Sequence, residues 1–194
     1  MTLGAFGHST VSAKEKLMPT DSPTSVYPRK RSARYRIAII EGPNTSNLGK
    51  RTKRVYGEIG SLDDLKAFCV AVGQRFGVEI LTFSSNIEGE ILEYIHEHAD
   101  DVDAWIVNPA GLTVYGIPTV HALVETYKPF LEVHFANITA APSHPRGVPV
   151  GPWDSTFTRF ATGISMGLRE HSYVGAILSL TLALDDEGFL GGPA

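Results

Sequence analysis

A carboxylate and an imidazole stand close together near the end of an apolar segment of the chain. Glu132 and His134 are two positions apart within residues 130–135, which are otherwise apolar. If this segment is a β-strand, both side chains point to the same face, and the carboxylate can orient and charge the imidazole. A single histidine in a strand is usually structural, but the adjacent glutamate favours a catalytic role in proton transfer.

A second group of candidate residues lies in the long connection at 41–57. This connection places Arg51, Lys53 and Arg54 close to Tyr56, and long connections in compact domains are often functional. The phenol of tyrosine has an ordinary pKa of about 10, and nearby cations lower that pKa because they stabilise the phenolate. Tyr56 is therefore a candidate general base. A solvated basic loop with a packing tyrosine explains the same residues equally well.

These candidates follow short apolar segments that alternate with amphipathic ones, a pattern that predicts alternating strands and helices. The predicted strands are residues 36–40, 78–83, 104–107, 130–135 and 162–167. The predicted helices are residues 61–76, 87–99, 117–127 and 172–184. The alternation predicts an α/β fold, namely a flavodoxin-like, doubly wound, five-stranded parallel sheet in three layers. In such sheets a ligand binds beyond the carboxyl ends of the strands, where Asn108 and His134 are expected.

The composition fits one folded domain with a basic extension. The chain has 194 residues and 43% hydrophobic content, which is enough for one full core. Residues 1–36 contain seven basic and two acidic side chains, a net charge of +5, which leaves −9 for the remainder because the whole chain carries −4. The segment is also rich in Ser, Thr and Pro. We therefore predict a disordered basic tail at 1–34, a domain at 35–185 and a short tail at 186–194.

The same composition argues against several classes of protein. No apolar segment is long enough to span a bilayer, and the first residues do not resemble a signal peptide. The acidic domain argues against nucleic-acid binding. Cys69 is the only cysteine, so no internal disulfide can form, and we expect a buried, reduced thiol in a cytoplasmic protein.

Several motifs occur in a definite order and at compatible spacing. They are Gly42-Pro43-Asn44, Leu48-Gly49-Lys50-Arg51, Tyr56-Gly57, Ser85-Asn86-Ile87-Glu88-Gly89-Glu90, Asn108-Pro109 and Glu132-Val133-His134-Phe135-Ala136-Asn137. In these motifs the chain resembles the type II 3-dehydroquinate dehydratase family over residues 36–184. The resemblance implies a lyase that converts 3-dehydroquinate to 3-dehydroshikimate by anti elimination of water through an enolate. It implies no metal and no organic cofactor.

The resemblance also assigns roles in the elimination to matching residues. Tyr56 would remove the α-proton of the substrate, and Arg51 would lower the pKa of that phenol. His134, held by Glu132, would protonate the departing hydroxyl as a general acid. Asn44 would position the water that stabilises the enolate oxygen.

The remaining roles concern the substrate and the assembly. Asn108 and the backbone amides of Phe135 and Ala136 would hold the carboxylate of a small cyclic hydroxy-keto acid. The family forms homo-oligomers, in which trimers assemble into dodecamers, so the resemblance implies a homo-oligomer here.

The chain departs from the family pattern where the family holds the diol of its substrate. Val114 stands in place of a pocket histidine, and His121 in place of an aspartate that reaches across a subunit interface. Ala136 replaces a serine in the EVHxSN motif and removes one side-chain donor to the carboxylate.

A pocket arginine of the family also lacks a clear counterpart. Its position aligns near Pro152, in a longer loop, so Arg146 or Arg159 would have to replace it. Arg169 lies in a similar local sequence, but aligning it with the family arginine leaves too few residues for the last strand and helix.

Three functions therefore compete. The first is dehydration of 3-dehydroquinate, in a biosynthetic or a catabolic setting, with a rearranged diol pocket. The second is a related dehydratase acting on another cyclic β-hydroxy-carbonyl compound, because a pocket built for hydroxyls loses much of its discrimination when its polar groups are removed. The third, less favoured, is a non-catalytic binding protein on the same fold.

Overall fold

A computed structural model describes residues 29–141, 143 and 154–191, and its centre is a five-stranded, all-parallel sheet. The strands are β1 (Arg36–Glu41), β2 (Glu79–Ser84), β3 (Ala104–Asn108), β4 (Phe130–His134) and β5 (Gly163–Met166). Their order across the sheet is β2-β1-β3-β4-β5. The predicted flavodoxin-like fold is confirmed, and each strand begins within one residue of its predicted start.

Within the described residues, five α-helices connect the strands or close the fold. They are α1 (Lys53–Tyr56), α2 (Leu62–Phe76), α3 (Glu88–His98), α4 (Ile117–Glu125) and α5 (His171–Leu184). The Ser61 hydroxyl caps α2 by accepting a hydrogen bond from the Asp64 amide at 3.0 Å. Helix α4 ends two residues before its predicted end, and Tyr127 takes a left-handed conformation with φ of 54°.

Alternate residues of β1 belong to two separate cores on the two faces of the sheet. Ile37 and Ile39 pack with α2 and α5, whereas Ala38 and Ile40 pack with α3 and α4. This alternation follows from the two-residue period of a strand, and it gives the three predicted layers. Cys69 lies in the first core and is buried, as expected. No helix within the described part of the chain is long and apolar enough to cross a membrane.

The basic residues at 29–31 pair with carboxylates that follow α5. Arg29 donates to both oxygens of Asp185 at 2.6 and 2.9 Å, and the Lys30 amide donates to the same carboxylate at 3.1 Å. Arg31 donates to Glu187 at 2.9 Å. Sequence analysis assigned these basic residues to the tail, because charge composition does not reveal a partner about 150 positions away. The contacts attach this segment to the folded domain at least from Arg29 onward.

We expect Asp185→Asn to lower the free energy of unfolding by about 1–2 kcal/mol at neutral pH, because the ion pair with Arg29 is largely buried. Burial alone would raise the pKa of Asp185, but the hydrogen bonds and charge of Arg29 hold it below its ordinary value. The stability that this ion pair contributes is therefore present at pH values above the ordinary pKa of an aspartate. It is lost as the pH falls through the lowered pKa of Asp185. Urea unfolding at neutral and acidic pH measures this difference. Asp186→Asn is the control, since the Asp186 side chain is 52% exposed, and equal effects of the two changes would contradict the prediction.

Candidate active site

A cavity of about 660 Å³ lies beyond the carboxyl ends of β1, β3 and β4. This is where the doubly wound fold is expected to bind a ligand. Most of the residues singled out from the sequence line it. They are Asn44, Arg51, Tyr56, Asn108, Val114, His134, Phe135 and Ala136.

Glu132 and His134 form a buried pair, as the strand spacing predicts. The Nε2 atom of His134 lies 2.6 Å from Oε1 of Glu132, and Thr158 donates its hydroxyl to the other carboxylate oxygen at 2.6 Å. Glu132 is fully buried and does not line the cavity, whereas His134 does. Since Nε2 is engaged by the glutamate, Nδ1 is the imidazole nitrogen that remains for a ligand.

The Glu132 carboxyl stays ionised despite its burial. Burial alone would raise its pKa, but hydrogen bonds from His134 and Thr158 outweigh that effect and lower the pKa below its ordinary value. The ionised carboxylate accepts a hydrogen bond from Nε2 and so fixes the orientation of the His134 ring. Thr158 was not predicted as a partner of Glu132, because it comes from the Pro- and Gly-rich region between β4 and β5, which has no periodic pattern.

The Gly42-Pro43-Asn44 and Asn108-Pro109 motifs pack directly against each other. The Gly42 amide donates to the Asn108 carbonyl at 2.8 Å, and the Gly111 amide donates to the Pro43 carbonyl at 3.1 Å. A Cβ atom at position 42 would lie 2.3 Å from the Pro109 carbonyl oxygen, so only glycine allows this approach. The two motifs therefore form one continuous wall of the cavity.

Asn44 is held in a conformation that a non-glycine residue seldom adopts. Its φ of 77° lies in the left-handed region, and its amide donates to the side-chain oxygen of Asn86 at 2.7 Å. Asn86 also donates to the Ser46 hydroxyl at 3.1 Å. The Ser85-Asn86 motif thus fixes the backbone of the loop that carries Asn44 into the cavity.

Arg51 lies over the face of the Tyr56 ring. The guanidinium carbon is 3.9 Å from the ring centroid, which is the geometry of a cation–π contact. Phe135 packs against the same ring with centroids 6.0 Å apart. Lys53, another of the cations predicted near Tyr56, is exposed and paired with Glu58. Arg51 therefore contributes positive charge next to the Tyr56 phenol. The side chains of Arg51 and Tyr56 both line the cavity.

The residues at which the chain departs from the family pattern, and the arginines considered as replacements, do not all line the cavity. Val114 and Ala136 line the cavity, whereas His121 is exposed on α4 and Arg159 is exposed outside the lining. Arg146 lies outside the described residues. Among the described residues that line the cavity, Arg51 is the single arginine.

Arg169 lies beside α1 and does not line the cavity. Its side chain packs against Gly57, where an added Cβ atom would lie 2.9 Å from the Arg169 Cδ atom. Tyr115 and Asp154 also line the cavity, and neither was predicted from the sequence. Asp154 lies in the Pro- and Gly-rich region between β4 and β5, which has no periodic pattern.

No group of three or more His, Cys, Asp or Glu side chains suited to a metal ion occurs within residues 29–141, 143 and 154–191. The cavity is instead defined by a phenol with an adjacent guanidinium, an imidazole with an adjacent carboxylate, and a fixed asparagine loop. Groups of these kinds are able to carry out acid–base chemistry on a small molecule.

Comparison with known proteins assigns the family. The family described as "Dehydroquinase class II" matches residues 35–181, and the chain belongs to this family. It is 33% identical to the catabolic 3-dehydroquinase of Talaromyces marneffei, over 75% of this chain and 79% of that protein. It is 31% identical to the 3-dehydroquinate dehydratase of Thermoanaerobacter pseudethanolicus, over 79% of this chain and 98% of that protein.

The fold is likewise similar to that of a solved structure in the family. The type II dehydroquinase of Propionibacterium acnes superposes with a TM-score of 0.66 at 31% identity, covering 76% of this chain and 96% of that one. The aligned region is therefore almost the whole of the bacterial enzyme, and the chain is a lyase of the dehydratase type.

Proposed function

We propose that this enzyme dehydrates 3-dehydroquinate to 3-dehydroshikimate by anti elimination through an enolate. The observation that carries the proposal is the convergence of two proton-transfer groups on one cavity. Tyr56 with Arg51 forms one group, and His134 with Glu132 forms the other. The names of the relatives described above support the same reaction.

In the proposed mechanism the two groups act in succession. The Tyr56 phenolate, stabilised by the Arg51 guanidinium, removes the α-proton, and the electron pair moves onto the ketone oxygen to give an enolate. Asn44 positions a water molecule that stabilises this oxygen. The enolate then collapses, the C–O bond to the β-hydroxyl breaks, and His134 supplies the proton with which that hydroxyl leaves as water.

The backbone of Phe135 and Ala136, at the end of β4, is proposed to hold the substrate carboxylate. Both residues line the cavity next to His134. With Ala136 in place of a serine, this position has no side-chain donor, so backbone amides would provide the contact.

A second candidate is a related dehydratase for a substrate with a different ring substituent pattern. The observation that favours it is the lining itself, where Val114 offers no hydrogen bond and Asp154 adds a negative charge. A diol could still be bound by Asp154, because a carboxylate accepts hydrogen bonds from hydroxyls.

The experiment that separates the two candidates is an absorbance assay of the conjugated enone product. We expect purified protein to form this product from 3-dehydroquinate. Absence of turnover from folded protein, combined with turnover of a β-hydroxy ketone that lacks the diol, would exclude the first candidate and support the second.

We also propose that the enzyme is a homo-oligomer built from trimers. The edge strand β5 exposes Ile164, and α4 exposes Ile117 and Val124. His121 is exposed on the same helix, where a neighbouring subunit can reach it. Light scattering at micromolar concentration should give a mass that is a multiple of three chains, and a monomeric mass would contradict the proposal.

A further inference from the structure

The turn between β5 and α5, residues 167–170, lies directly against the end of β4. The Gly167 amide donates to the His134 carbonyl at 3.2 Å, and the Arg169 amide donates to the Phe135 carbonyl at 3.0 Å. The backbone of the turn is therefore attached to the strand end that carries the proposed general acid.

This turn contains two locally unfavourable features. Arg169 has a φ of 56°, a conformation that glycine adopts freely and that a residue with a Cβ atom seldom takes. The Oε2 atom of Glu170 is buried and has no hydrogen-bond partner within the described residues, which also costs free energy. Features of this kind cluster at functional sites, where the surrounding structure maintains them. The proposed reaction uses neither side chain, so their function has to be sought in what they contact.

Both side chains approach Gly57. A Cβ atom added to Gly57 would lie 2.9 Å from the Cδ atom of Arg169 and 3.2 Å from Oε2 of Glu170. Gly57 is buried, and its amide closes α1 by donating to the Lys53 carbonyl at 2.9 Å. It follows Tyr56 directly in the chain. The Arg169 side chain therefore packs on the backbone that carries the proposed general base.

We propose that Arg169 is a positioning residue that acts through Gly57 to hold the Tyr56 phenol beside Arg51. This inference rests on the proposed function, because it takes Tyr56 as the base. Helix α1 has only four residues, too few to be stable alone, so its position depends on contacts from outside. The aliphatic part of Arg169 provides such a contact. Since the turn is also bonded to the end of β4, the contact keeps the base at a fixed distance from His134.

The distance between Tyr56 and Arg51 determines how strongly the guanidinium stabilises the phenolate. The guanidinium carbon lies 3.9 Å from the ring centroid, and the attraction between opposite charges weakens as they separate. Loss of the Arg169 contact should let Tyr56 move away from Arg51 and so raise the pKa of Tyr56 relative to the unsubstituted protein. Further charged side chains that α1 and the turn bring near this segment are Lys53, Arg54, Arg169 and Glu170.

The first test measures the ionisation of Tyr56 without any substrate. Arg169→Ala removes the contact, whereas Arg169→Lys keeps a methylene at the Cδ position with a charge and Arg169→Met keeps an atom there without one. Phenolate absorbance in the near ultraviolet is titrated for each variant. Because the chain has seven tyrosines, each titration is repeated with Tyr56→Phe added, and the difference gives Tyr56 alone. We expect Arg169→Ala to raise the pKa of Tyr56 by about one pH unit, and the Lys and Met variants to leave it unchanged.

The second test is the pH dependence of turnover of 3-dehydroquinate. Since the base must be ionised, kcat/KM rises with pH through the pKa of Tyr56, and this limb should move to higher pH in Arg169→Ala. We expect kcat to fall about 30-fold and KM to stay within about 3-fold, because a misplaced reacting group slows the chemical step more than it weakens binding. The Lys and Met variants should keep kcat within about 3-fold of the unsubstituted protein.

Arg169→Gly keeps the test decisive if the alanine variant does not fold. Glycine adopts the φ of 56° without strain, so this variant should unfold at the same temperature as the unsubstituted protein or at a higher one. It should nevertheless show the same loss of kcat and the same rise in the pKa of Tyr56 as Arg169→Ala. A contact that serves stability alone would not change either quantity.

The outcomes separate this inference from the proposed function. If the unsubstituted protein does not convert 3-dehydroquinate, the proposed function fails, while the titration still decides whether Arg169 positions Tyr56. If 3-dehydroquinate is converted and Arg169→Gly changes neither kcat nor the pKa of Tyr56, the inference alone is overturned. It is also overturned if Arg169→Met reproduces the losses of Arg169→Ala, because the charge and not the contact would then be responsible.

Discussion

Replacing Tyr56 with Phe should lower kcat for 3-dehydroquinate by at least about 1,000-fold, within the range expected for loss of a positioned general base. The change removes only the hydroxyl group. The contacts of the ring with Arg51 and Phe135 are formed by its faces and edges, so the fold and the cavity should be retained. We therefore expect 3-dehydroquinate to bind within a few-fold of its parental affinity. The absorbance assay measures kcat, and isothermal titration measures binding.

A control for Tyr56→Phe is available in the opposite layer of the fold. Tyr94 stacks between Phe83 and His98 with centroid distances of 4.2 and 4.1 Å, and it does not line the catalytic cavity. Tyr94→Phe should leave kcat within about two-fold, since changes away from the site seldom affect it. If Tyr56→Phe retains parental kcat, Tyr56 is a packing residue and another base must be sought. If the unsubstituted protein binds 3-dehydroquinate but does not convert it, the protein is better described as a non-catalytic binding protein.

The sheet and its long helices could be predicted because their residues repeat with the period of the element. Ile37 and Ile39 face one core while Ala38 and Ile40 face the other, and this alternation is present in the sequence itself. Ser61 and Gly77 mark the two ends of α2 as ordinary cap residues. The short 3₁₀ segments Thr45–Lys50 and Phe157–Arg159 were not predicted. They span only one or two turns, and tertiary contacts determine their conformation.

The sequence predicted those site residues that lie at the end of a single strand or within a recognisable motif. The Glu132–His134 pair follows from spacing along one strand, and the two side chains are in contact in the structure. Thr158 was missed because its bond to Glu132 spans 26 positions of sequence with no repeating pattern. The hydrogen bond from the Tyr173 hydroxyl to Glu41 spans 132 positions. Contacts of this kind depend on how the chain closes in three dimensions, which composition and periodicity do not specify.

We expect the second large effect on kcat from Glu132→Gln, because this change removes the charge next to His134. Glutamine has nearly the same size but no charge, and its amide can donate as well as accept. It would no longer place a negative charge beside the His134 imidazole or fix a single orientation of the ring. We expect kcat to fall by about 100-fold, comparable to the loss of a positioned general acid. The absorbance assay measures this loss, and circular dichroism verifies that the variant is folded.

Thr158→Val is the matched control, because it removes one hydrogen bond to Glu132 and keeps the charge. We expect its kcat to fall by only about 3- to 10-fold, consistent with one neutral hydrogen bond to a charged group. The same variant should raise the pKa of Glu132, since the Thr158 bond is one of those that lower it. Stability that depends on the ionised carboxyl is lost as the pH falls through its folded pKa, so Thr158→Val should unfold at higher pH than the parent during acid titration. Equal kcat values for Glu132→Gln and Thr158→Val would mean that the position of His134, and not the charge beside it, limits the elimination.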